Sequence, residues 1–141
     1  LWDRRGSAIV SSGSYPLRVA LDTAGDVIVA GTSYAAKYAA ASGGPIWEKS
    51  SDVSAIGAAS LAIDRMGAVV VAGTASFEPD PWTNYDFLIV KLAAADGATE
   101  WQVRHDGPAQ AEEKAVAVAM DPLGNVVSTG FVETPATGRD S

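Results

Sequence analysis

There is no cysteine among the 141 residues. That excludes disulfides and thiolate metal sites and leaves the redox compartment unassigned. Basic residues are few: 10 Lys and Arg stand against 17 Asp and Glu, a net charge of −7, with a pI near 4.5. An acidic surface repels phosphate backbones, so nucleic acid is not an expected partner. No apolar run approaches the roughly 20 residues of a membrane-spanning helix, so no membrane span is expected. The opening residues Leu1-Trp2-Asp3-Arg4-Arg5 carry no signal-peptide pattern. Neither a Gly-x-Gly-x-x-Gly nor a Walker pattern is present, and no Ser/His/Asp arrangement has supporting context.

What remains is 48% hydrophobic and 19% charged, the balance of a globular chain with a core. Fourteen Gly and 7 Pro around short Val-rich runs predict many strands and turns rather than long helices. The chain repeats itself. Arg18-Val-Ala-Leu-Asp22-Thr-Ala-Gly25-Asp-Val-Ile-Val-Ala-Gly31 returns as Ser60-Leu-Ala-Ile-Asp64-Arg-Met-Gly67-Ala-Val-Val-Val-Ala-Gly73. It returns again as Ala117-Val-Ala-Met-Asp121-Pro-Leu-Gly124-Asn-Val-Val-Ser-Thr-Gly130.

Small and large residues alternate before each Asp, which predicts a strand with a small face and a core-filling face. Asp-x-x-Gly then makes a turn, with the carboxylate accepting turn N–H groups and Gly supplying an unusual backbone angle. One turn role accounts for Asp22, Asp64 and Asp121 better than a metal site does. The following valines are apolar on both faces, as in a sheet covered on both sides.

A third strand follows at Tyr34–Tyr38 and again at Tyr85–Leu92, aligned through Lys37-Tyr-Ala-Ala-Ala-Ser-Gly43 and Lys91-Leu-Ala-Ala-Ala-Asp-Gly97. Trp47 and Trp101 then open a fourth strand at matched spacing, where large aromatics in register read as packing between units. Units of four strands with tight turns predict an all-β chain built as β-propeller blades. The blades span 17–50 and 58–105, with partial blades at 1–5 (around Trp2) and 115–133. About three blades cannot close a ring of four to eight. A homo-oligomer, with a dimer supplying about six blades, is the expected partner that completes it.

These residues resemble the bacterial seven-bladed β-propeller repeat family. The likeness lies in Asp121-Pro-Leu-Gly124-Asn125-Val126, in Tyr85-Asp86-Phe87 with Lys91, and in Trp101. The pattern departs at Tyr34-Ala-Ala, at Ser128 and at an insertion between Gly73 and Lys91. The resemblance implies a propeller fold and an extracellular or cell-surface setting. It transfers little chemistry, since function varies across such folds.

Candidate site residues fall in two connections expected at one mouth of the sheets. The insertion Ser76–Asp86 carries Glu78, Asp80 and Asp86 as candidate metal ligands, suited to a hard cation such as Ca²⁺. It also carries Trp82 and Tyr85 as candidate ligand contacts. Its plain alternative is a solvated loop. The connection Arg104–Lys114 carries Asp106, Glu112 and Glu113 as further ligand contacts. It also holds His105, the single histidine, as a candidate general base. Two functions follow: a binding scaffold presenting a loop face, or a Ca²⁺-dependent hydrolase of lactone or phosphotriester type, by analogy of fold alone.

Overall fold

The structure, a computed structural model, describes residues 18–49, 57–75, 85–106 and 113–132. The described residues form ten strands and no helix. Strands β1 (Arg18–Leu21), β2 (Val27–Gly31), β3 (Tyr34–Tyr38) and β4 (Pro45–Lys49) make one antiparallel sheet in that order. A second sheet repeats the order with β5 (Gly57–Ile63), β6 (Val69–Ala75), β7 (Asp86–Leu92) and β8 (Thr99–His105). The third pairs β9 (Glu113–Met120) with β10 (Val126–Val132).

One turn chemistry joins the first two strands of all three sheets. Asp22 Oδ1 accepts the N–H groups of Ala24 and Asp26, each at 2.9 Å. Asp64 does the same for Met66 and Ala68, and Asp121 for Leu123 and Asn125. Gly25, Gly67 and Gly124 take φ of 83°, 83° and 86°, the left-handed region that a side chain resists. A second turn closes β3 onto β4 and β7 onto β8. There Gly43 and Gly97 donate to the Ala39 and Ala93 carbonyls. Each hairpin shifts register by one residue beside the lysine, leaving Lys37 opposite Trp47 and Lys91 opposite Trp101.

The main core lies where the first two sheets meet. Ile28, Ala30, Ala35 and Trp47 pack with Ala58, Val69, Val71, Ala75, Leu88, Val90 and Leu92. A second cluster of Tyr34, Ala36 and Tyr38 forms on the other face of the first sheet. The first strand of each sheet lies beside that of the next, β5 touching both β1 and β9. Polar ties cross these joints. Arg18 Nε donates to the Ala59 carbonyl, and Ser60 Oγ accepts the Val118 N–H at 3.0 Å.

Coverage of the valine strands is uneven. β6 is buried on both faces, as its sequence predicts. In β10 Val127 is 67% exposed, and on β1 Leu21 is 65% exposed instead of filling a core. The alternation is intact at both places, but among the described residues no sheet lies over those faces. The connection expected at Arg104–Lys114 is shorter than its sequence suggests. β8 runs on to His105 because His105 pairs with Phe87, and β9 starts at Glu113 because Glu113 pairs with Val132. No helix of the described residues is long and apolar enough to cross a membrane.

Candidate metal and ligand site

The second and third sheets end together at one mouth, opposite the Asp-x-x-Gly turns. Glu113 donates its backbone N–H to the Tyr85 carbonyl at 2.7 Å, clamping the start of β9 to the approach of β7. Register brings Phe87 opposite His105, and Phe131 opposite Lys114. A cleft of about 220 Å³ opens there, lined by Phe87, His105, Gly130, Phe131 and Val132. The Lys114 ammonium lies 5.8 Å from the ring centres of both Tyr85 and Phe131, within cation–π range.

Gly130 makes this closeness feasible. A Cβ there would lie 1.9 Å from the Lys114 carbonyl oxygen and 2.9 Å from the Phe87 ring. The β9–β10 register also shifts between Thr129 and Gly130. A bulge of this kind re-aims the side chains that follow it, and here those are Phe131 and Val132.

At these same strand ends three carboxylates converge. Asp86, Asp106 and Glu113 each offer an oxygen, all within 4.8 Å of one another. Arg104 bridges two of them, with Nε 2.8 Å from Asp86 Oδ2 and Nη2 3.1 Å from Asp106 Oδ2. Asp86 is 1% exposed and Glu113 is 0% exposed. Among the described residues, Asp86 Oδ1 and both carboxylate oxygens of Glu113 have no hydrogen-bond partner. Burying a carboxylate without a partner is unfavourable by several kcal/mol in general.

Acidic residues at the other end are already satisfied. Lys37 Nζ sits 2.8 Å from Asp22 Oδ2 and 3.5 Å from Asp26 Oδ2. The hydrogen bond from Lys37 holds the Asp22 carboxyl below the ordinary aspartate range, against the opposing effect of burial. Lys91 repeats the contact with Asp64 at 3.7 Å. Asp121 is instead met by Asn125 Nδ2 at 2.7 Å, which lowers its pKa. All three aspartates therefore serve their turns.

Of the residues singled out by sequence, Tyr85, Asp86, His105, Asp106 and Glu113 come together at this mouth. Glu78, Asp80, Trp82 and Glu112 lie outside the described residues. Phe87, Arg104, Lys114, Gly130 and Phe131 were not singled out as site residues. Their signal was available in the strand ends, where aromatics flank the insertion and close β10. No protein-family model matches the chain, and no curated protein matches it.

Proposed function

We propose that this chain is part of a β-propeller and that its role is to bind a ligand at the cleft beside His105. The β1–β4 and β5–β8 sheets are read as blades and β9–β10 as a partial blade; the partial blade expected at 1–5 lies outside the described residues. The observation that carries the binding role is the cleft itself. Two phenylalanines, an imidazole and a nearby ammonium line or flank one concave surface, a combination that suits ligand capture. A peptide or glycan fits this chemistry, because aromatic walls hold flat or apolar faces and the polar groups orient them. Titrating the chain with peptide and glycan panels, then with Phe131→Ala, tests the reading. Binding that the substitution leaves unchanged would remove the cleft from the site.

The ring reading is supported by how the sheets join. Trp47 is buried against the β7–β8 turn of the next sheet, its ring against Gly97. Trp101 holds the same register in its own sheet yet is only half-buried. We read the strands that would cover it as belonging to a second copy of the chain, giving a homodimer. Light scattering tests this: a stable, folded monomer would defeat it.

A second reading, a metal-dependent hydrolase, is favoured by the three carboxylates that converge at the same strand ends as His105. His105 would then act as general base. Ester, lactone and phosphotriester turnover measured with and without chelator separates it from pure binding. Absence of turnover, or turnover indifferent to chelator, would dismiss it.

A further inference from the structure

We infer that Asp86, Asp106 and Glu113 form a site for one divalent, oxygen-preferring cation, with Ca²⁺ the best-fitting ion. The site is distinct from the Glu78, Asp80 and Asp86 grouping expected from sequence, sharing only Asp86. It does not depend on what fills the cleft.

Two separate observations point to a ligand here. The first is proximity: three carboxylate oxygens lie within 4.8 Å of one another. The second is the state of Glu113. Its side chain is 0% exposed, belongs to that cluster, and among the described residues has neither oxygen hydrogen-bonded. Asp86 adds a third unpartnered oxygen, Oδ1. Arg104 engages Oδ2 of Asp86 and of Asp106, and so orients both carboxylates. Neither oxygen of Glu113 receives a bond from it.

Charge and size select the ion. In their charged forms the three carboxylates outweigh the one guanidinium by two negative charges, which a divalent cation balances. The donors are all carboxylate oxygens, which favours a hard cation over zinc or copper. Two oxygens on opposite sides of Ca²⁺ stand about 4.8 Å apart, given Ca–O distances of about 2.4 Å. Around Mg²⁺ they stand about 4.2 Å apart, and its octahedral demand is stricter. Oxygens that all lie within 4.8 Å of one another fit around either ion, and the looser geometry that Ca²⁺ accepts favours it.

The elements hold the ligands independently. Asp86 opens β7, Asp106 follows β8 and Glu113 opens β9. An ion there would tie the second sheet to the third, so its binding should be felt in stability as well as in affinity.

The test is calorimetric titration of the chelator-treated, full 141-residue chain with CaCl₂, and with MgCl₂ for comparison. One Ca²⁺ per chain is expected, together with a rise in Tm on adding Ca²⁺. Glu113→Gln should weaken Ca²⁺ at least tenfold and abolish that rise, with the fold checked by circular dichroism. Asp106→Asn, at an exposed position, should also weaken it and keeps the test informative if the Glu113 variant does not fold. Wild-type chain that takes up no Ca²⁺, or variants that bind it as the wild type does, would overturn the site. Peptide and glycan binding measured on the same samples separates the two proposals. Cleft binding without Ca²⁺ binding removes the metal site alone, and Ca²⁺ binding without a cleft ligand upholds it.

Discussion

The Trp47 indole N–H donates to the backbone carbonyl of Ala94 at 3.1 Å, across the boundary between the first and second sheets. A buried indole rarely goes without a partner for its N–H. Here the partner belongs to the neighbouring sheet, so the bond joins two hairpins that are 47 residues apart. Trp47→Ala should lower unfolding stability by about 3–5 kcal/mol, the usual range for emptying a large aromatic site. Trp47→Phe, which loses the donor and part of the ring, should lose roughly half as much. Urea denaturation measures both, and a Trp47→Phe variant as stable as the wild type would show that the hydrogen bond contributes nothing.

Gly97 is the floor under that ring. Its φ is 69° and a Cβ would stand 2.7 Å from Trp47 Cε3. Gly97→Ala therefore meets backbone strain, about 1–2 kcal/mol for a left-handed residue, together with a steric clash. Gly124→Ala meets the same strain at φ 86° with nothing within 4 Å of its Cβ. The Gly97 variant should be clearly less stable than the Gly124 variant in parallel thermal melts.

The Asp22 pair predicts an acid dependence. The hydrogen bond from Lys37 lowers the Asp22 pKa in the folded chain. A lowered carboxyl pKa gives stability that is fully present above the unfolded value, about 4. That stability is lost as pH falls through the folded value. Wild-type stability should therefore drop below about pH 4, and Asp22→Asn should be less stable at neutral pH with a shallower drop. Denaturation midpoints from pH 2 to 7 give the comparison, and equal slopes would refute it.

Gly130 controls the mouth. With a Cβ position 1.9 Å from the Lys114 carbonyl oxygen, Gly130→Val should part β9 from β10 at the bulge. Both cleft binding and stability should fall, the latter by more than about 3 kcal/mol, beyond the typical range for single substitutions. Phe131→Ala, by contrast, should weaken binding with a smaller effect on stability, since Phe131 is 45% exposed. Ligand titration alongside thermal melting distinguishes the two.

Much of the fold is legible in the chain because its instructions are local. Asp-x-x-Gly specifies its own turn, and the Oδ1 contacts at Asp22, Asp64 and Asp121 are alike because the spacing is alike. Lys37 and Lys91 mark the register of the third strands, but the sequence leaves open that each reaches back to its sheet's turn aspartate. That contact depends on strand order. The candidate site is less legible for the same reason. Asp86, Asp106 and Glu113 are separated along the chain, and only the β6–β7–β8 pairing and the β7–β9 approach bring them together. Glu113 in particular sits among acidic residues that look solvated in sequence, whereas its pairing with Val132 carries it inside.

The single-sided seating of Trp47 gives the molecule a direction. The second sheet shelters the aromatic of the first, so loosening at that joint is passed to its neighbour rather than shared by the whole. The β9–β10 hairpin, with most of its outward residues in solvent, should exchange its amide hydrogens first. The sheltered strands β6 and β7 should exchange last. Resistance to exchange would then rise from the hairpin towards the Trp47 joint, a gradient of permanence running along the stack.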